Sequence, residues 1–204
     1  MYQHYPLYIR LWHLLNASFF LILIVTGLNM QFSNPDHPFI SFPVSVRLHN
    51  ICGVGLTISY LLFFAGNIIS GNGKNYIIRF RGFLRSILRQ IKYYISISWK
   101  HSEPPFPITT DRKFNPLQAI SYTIAMYIGV PLLIITGLGL MFPGIVIEKI
   151  FGISGLLLTD LIHVILGFLM SLFMFVHIYM CTLAKTPFSS FRAIITGWQQ
   201  VEKE

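Results

Sequence analysis

Of the seven histidines in the chain, four (His13, His49, His163 and His177) fall within long apolar runs. A neutral imidazole is costly in hydrocarbon unless its ring nitrogens find partners. One such residue could be a helix–helix hydrogen bond. Four of them, in segments with few other ionisable groups, mark a functional site. His163 and His177 open and close the stretch "HVILGFLMSLFMFVH". Their separation, residue 163 to residue 177, is about 1400° of helical rotation, so both return to within roughly 40° of one face. At ~1.5 Å per residue they are also roughly 21 Å apart along the axis. A single metal ion holds its ligands about 2 Å away. The two histidines therefore belong to two centres stacked along one helix. His4, His37 and His101 lie in loops or the N-terminal tail and read as solvated or capping residues.

The elements that position these residues follow from composition. The chain has 204 residues, 54% hydrophobic and 11% charged, with a mean hydropathy of +0.63. Soluble domains carry about 25% charged residues, so this is the composition of a membrane protein. Its net charge of +8 does not point to nucleic acid, because the bases sit between apolar runs and no nucleic-acid-binding motif is present. Four segments, about 11–31, 46–69, 116–142 and 156–181, meet the roughly 20 apolar residues that a bilayer core requires. The first lacks the small-residue cleavage site of a signal peptide. The expectation is an all-α integral membrane protein, a single domain over residues 1–204 built as a four-transmembrane-helix bundle.

Lys and Arg set the orientation. Arg10, the nine bases between Lys74 and Lys113, and Lys185, Arg192 and Lys203 fall on one side, and Arg47 and Lys149 on the other. Positive residues stay cytoplasmic. Both termini and the long middle loop are thus expected on the cytoplasmic face of the membrane, with the chain crossing it several times. Cys52 and Cys181 then lie at opposite faces and cannot pair. Within the loop, residues 74–99 place Arg81, Arg85, Arg89 and Lys92 at helical spacing, with Phe83, Leu84, Ile87, Leu88, Ile91 and Ile95 between them. That pattern predicts an amphipathic helix lying on the lipid surface. Docking of a soluble partner is the alternative.

With alternating span directions, the histidines match by depth. His13 and His177 lie toward the cytoplasm, and His49 and His163 toward the outside. Each pair joins two helices at one level, as two axial ligands of a haem would. Two bis-histidine haems account for all four residues. Gly53 and Gly167 follow His49 and His163 by one helical turn and leave room for a flat ring, although close helix packing also favours glycine. Arg10 and Arg47 stand three and two residues before His13 and His49, within reach of haem propionates. Arg10 equally suits positive-inside anchoring. There is also an internal echo. "VTGLNMQF" closes the first span and "ITGLGLMF" the third, each before an inward span with a His-x-x-x-Gly pattern.

"YIRLWHLLNASFFLILIVTGL", "VRLHNICGVGL", "RKFNPLQ" and "HVILGFLMSLFMFVHIY" resemble the cytochrome b subunits of membrane-bound oxidoreductases. These include the anchors of respiratory nickel-iron hydrogenases, formate dehydrogenases and thiosulfate reductases. The resemblance implies two b haems, a quinone site (menaquinone or ubiquinone) near the cytoplasmic haem, and a periplasmic partner carrying iron-sulfur clusters or multihaem cytochrome c. It also implies that Asn115 lies near bound quinone, with Gln118 one turn on. Their amides could hydrogen-bond a quinone carbonyl. Helix capping by Asn115 before Pro116 is the competing role. The expected function is electron transfer between the outer partner and the quinone pool. The alternatives are a stand-alone di-haem enzyme oxidising a small donor such as superoxide, and a transporter, for which paired midplane helix breaks would be required. Gly129 and Pro131 could kink the third span, but the first span has no counterpart.

Overall fold

A computed structural model describes residues 2–3, 5–34, 36–77, 82–96, 104–107, 109, 112–183 and 188–199. His4, His101, Arg79, Arg81, Lys100, Lys185 and Lys203 lie outside the described residues. Four long apolar segments dominate, each long enough to cross a membrane: α1 (Leu7–Phe32), α2 (Phe42–Ser70), a third running from Pro116 to Met141, and α6 (Gly155–Thr182). At ~1.5 Å per residue each exceeds the roughly 30 Å hydrocarbon core. Many of their leucines, isoleucines and phenylalanines are exposed on the bundle surface, as expected where lipid is the solvent.

α1 packs along α2, and the second half of the third segment packs along α6, giving two hairpins that meet on a narrower seam. The buried core at that seam is Phe20, Leu56, Ala125, Val130 and Met170. Met170 is seven residues from both His163 and His177, while Phe20 and Leu56 follow His13 and His49 by the same interval. The packed centre therefore lies midway between the two histidine levels. Gly55 makes the first hairpin tight, since a Cβ there would stand 2.6 Å from the Phe19 ring.

The third segment is not uniform. α4 (Pro116–Ile124) leads into a π-helical turn, Ala125–Gly129, and then into α5 (Val130–Met141). Pro131 has no N–H to continue the i→i−4 ladder, and the wider turn absorbs this loss without breaking the helix. The Val130 N–H bonds instead to the Ala125 carbonyl.

Both chain ends meet at one end of the bundle, called here the terminal end. β1 (Tyr2–Gln3) pairs antiparallel with β4 (Trp198–Gln199), which follows the short helix α7 (Ser189–Thr196). At the far end, Asn29 closes the α1–α2 connection. Its Nδ2 donates to the Ile40 carbonyl and to Ser45 Oγ, both at 2.8 Å, and its Oδ1 accepts from the Ile40 N–H. A hairpin of β2 (Lys149–Ile150) and β3 (Ile153–Ser154) joins the third segment to α6. Phe151 and Gly152 supply the two left-handed positions that a tight turn of this hand requires.

The hairpin lands on Gly155, where a Cβ would lie 1.8 Å from the Ile147 carbonyl oxygen. That obstacle is backbone and cannot rotate away. Gly155→Ala is expected to destabilise the protein by about 3 kcal/mol, read as a lower melting temperature in detergent. A wild-type melting temperature would show that the β2–β3 hairpin shifts freely.

The middle loop is shorter in helix than its pattern suggested. A 3₁₀ turn occupies Asn72–Tyr76, and α3 begins only at Phe83, after Gly82 in a left-handed conformation (φ 72°). Leu84, Leu88, Ile91 and Ile95 are exposed along α3, suiting a lipid surface. Its opposite side is anchored to the bundle. Gln90 is buried, and Tyr94 Oη accepts from Asn115 Nδ2 at 3.0 Å.

Candidate functional site

The structure brings the four intramembrane histidines together in two pairs. The His49 and His163 ring centres are 6.2 Å apart near the far end, and those of His13 and His177 are 6.3 Å apart near the terminal end. Two imidazoles sharing one iron through Nε2, at about 2 Å each, hold their ring centres about 6.3 Å apart. Both pairs have that separation. Among the described residues no three His, Cys, Asp or Glu side chains converge as a structural metal ion would need. The donor set is two imidazoles per level, which suits a metal that brings its own equatorial ligands.

The surroundings fit such a group. Among the described residues, a Cβ at Gly53 or Gly167 would meet nothing within 4 Å beyond its own stretch of helix, although each glycine is only one turn from a histidine. At the terminal end, Arg10 Nε and His13 Nδ1 are buried without a protein partner among the described residues. Another Arg10 nitrogen, Nη2, donates to the Ile195 carbonyl and ties α1 to α7. Arg47 is exposed, two residues before His49.

The far-end pair is held by two threonines that the sequence displayed only as an echo. Thr26 Oγ1 lies 2.9 Å from His49 Nδ1, and Thr136 Oγ1 lies 2.9 Å from His163 Nδ1. Each hydroxyl has one proton and gives it to the carbonyl four residues back, Ile22 or Leu132, at 2.7 Å. The hydroxyl oxygen must then accept from the imidazole. Nδ1 carries the proton, and Nε2 presents its lone pair. The glycine after each threonine completes the seat, since a Cβ at Gly27 or Gly137 would stand 3.5 or 3.2 Å from the imidazole Cε1. The repeated Thr-Gly of "VTGL" and "ITGL" is therefore a histidine holder, one copy per hairpin. The repeat was visible in sequence, but its purpose depended on the facing helix.

The terminal-end pair is held differently. Tyr122 Oη is 3.3 Å from His177 Nδ1, and Phe173 stacks on the His177 ring with centres 5.9 Å apart. Trp12, in the Arg-x-Trp-His stretch, stacks on Phe63 at 4.2 Å and donates its indole N–H to the Ser59 carbonyl at 3.1 Å. These contacts fix the rotation of α1 and hence of His13.

Asn115 and Gln118 form a capping box at the start of α4. Asn115 Oδ1 accepts from the Gln118 N–H at 2.9 Å, and Gln118 Oε1 accepts from the Asn115 N–H at 3.1 Å. The capping role is thus realised, and both side-chain oxygens are committed to it. Beside them lies Lys113, of the same RKFNPLQ stretch. Its side chain is buried, with Nζ 3.4 Å from Asn72 Oδ1 and 4.8 Å from the Tyr5 ring centre. Burial pushes its pKa down to about 8.

A protein of Escherichia coli (strain K12) provisionally named cytochrome YdhU is 35% identical over 192 residues, covering 94% of this chain and 72% of its own length. No solved structure matches the chain significantly. Residues 4–197 match the family described as prokaryotic cytochrome b561. The chain belongs to that family of haem-b-binding membrane cytochromes, whose members transfer electrons across the membrane.

Proposed function

We propose that the chain is one membrane domain carrying two haem b groups, and that it passes electrons between a redox partner on the periplasmic face and the quinone pool. The observation that carries this reading is the two pairs of facing imidazoles, at two depths, each with the ring separation of bis-histidine ligation. His49 and His163 ligate the periplasmic-side haem, and His13 and His177 the cytoplasmic-side one. Haem b, when bound, supplies reversible one-electron exchange. The chain fixes where that exchange occurs and excludes water with the Phe20–Leu56–Met170 core between the levels.

Arg47 and the unpartnered Arg10 Nε are the proposed propionate contacts. The terminal end, with its excess of Lys and Arg, faces the cytoplasm of a bacterial inner membrane. The quinone site is proposed there, beside the α4 capping box. With the oxygens of Asn115 and Gln118 committed to the cap and one Asn115 Nδ2 proton given to Tyr94 Oη, the second Asn115 proton and the Gln118 amide N–H groups are what remain for a quinone carbonyl.

The test is haem stoichiometry of the purified chain by pyridine haemochrome, followed by addition of a water-soluble quinol analogue. Two haems per chain and reduction of the haem b spectrum by quinol are expected. A folded chain without haem, or haems that quinol cannot reduce, would overturn the reading. Asn115→Asp refines the site. It retains a cap acceptor but removes the amide donor, so a quinone-analogue inhibitor should bind roughly tenfold more weakly with both haems retained. Unchanged affinity would leave Asn115 as a cap alone.

A further inference from the structure

We propose that Thr26 and Thr136 are positioning residues that set the tautomer of both far-end histidines and lower the reduction potential of the haem they ligate, leaving the terminal-end haem untouched. The inference rests on the ligation by His49 and His163 proposed above. Its geometry is the same twice: a buried threonine on one helix, its hydroxyl proton spent on its own backbone, and its oxygen 2.9 Å from Nδ1 of the histidine on the next helix of that hairpin. The two copies come from different hairpins and serve the two facing histidines of a single level.

The chemistry has a definite sign. An acceptor at Nδ1 draws the Nδ1–H proton outward and makes Nε2 more electron-rich. A more basic axial ligand favours the ferric over the ferrous ion, so the potential falls. Removing the threonine oxygen leaves each ring only the backbone carbonyl of Leu23 or Leu133, which also faces it, and so reverses the threonine's share of the effect. The terminal-end pair has no equivalent device among the described residues, because His177 has the longer 3.3 Å contact with a phenol and His13 Nδ1 has no protein partner. The threonines therefore act on one of two otherwise similar centres and adjust the driving force between them.

The experiment is a redox titration of haem b absorbance in Thr26→Val, Thr136→Val and the double variant. Valine keeps the shape and removes the hydroxyl. In a His13→Ala background, where only the far-end haem remains, each valine should raise the midpoint potential and the pair should raise it further. Thr→Ser at either position should restore the wild-type value. In a His49→Ala background, which retains only the terminal-end haem, the same valines should leave the potential where it was. Loss of the far-end haem alone in a valine variant, recovered by serine, also supports the role, since an unguided imidazole no longer presents Nε2. An unmoved or lowered far-end potential, equal shifts of both haems, or loss of both haems would overturn it. A wild-type chain that titrates as fewer than two haems is a separate failure, visible before any threonine is changed, and it removes the ligation on which the proposal stands.

Discussion

Replacing His49 or His163 by alanine is expected to remove one haem b from each chain and leave one behind, and replacing His13 or His177 to remove the other. The reason is the separation of the two levels. His163 and His177 lie on one uninterrupted helix, α6, roughly 21 Å apart at ~1.5 Å per residue, with Met170 of the packed core midway between them. Losing an imidazole at one level leaves the other level's ligands, rotamers and packing in place. A pyridine haemochrome assay should fall from two haems per chain to one. The two classes of variant should also differ in function. His13→Ala and His177→Ala should abolish reduction by quinol, since the proposed quinone site adjoins that level, while His49→Ala and His163→Ala should retain it. A single substitution that removed both haems from a folded chain would rule out two independent levels.

Gly53→Leu and Gly167→Leu are expected to expel the far-end haem without harming the protein fold. Most interior glycines of this bundle are small because protein fills the space beside them. At Gly55 a Cβ would strike the Phe19 ring at 2.6 Å, and at Gly129 it would strike Met170 Sδ at 2.7 Å. Gly53 and Gly167 differ, because among the described residues a Cβ there meets nothing within 4 Å beyond its own stretch of helix. Packing of the chain against itself does not explain them, whereas a flat ring ligated one turn away does. Leucine also favours helix over glycine by about 0.8 kcal/mol, so the haem-free variant should melt no lower than the haem-free wild type. The expected outcome is one haem per chain, with helical content by circular dichroism unchanged. Two haems in Gly53→Leu and Gly167→Leu alike would show that these faces do not adjoin the cofactor.

The four helices were legible in the sequence because a bilayer imposes length and apolarity on any segment that crosses it. The boundaries moved outward by a few residues, as at Leu7 and Phe42, since a helix continues through the interface, where hydropathy already falls. The amphipathic loop helix was legible as a pattern but not in extent. Gly82, in a left-handed conformation, starts it nine residues later than the charge pattern did. Tyr94, through its hydroxyl on Asn115 at the start of α4, fastens it to the bundle, and Gln90 is buried on the way.

Which histidines face one another was readable from depth alone, because alternating span directions order every residue along one axis. What held them was not. Thr26 and Thr136 are ordinary small residues near the ends of apolar helices, and their meaning lies in an imidazole 23 or 27 residues away on another helix. Likewise Lys113 was one base among many until folding buried it against Asn72 and Tyr5. Spans, family and the depths of the four histidines follow from one-dimensional periodicity and partition into lipid, and so can be read along the chain. The histidine seats and the burial of Lys113 cannot, because a hydrogen bond needs its partner within about 3 Å, and that distance is set by how the hairpins pack.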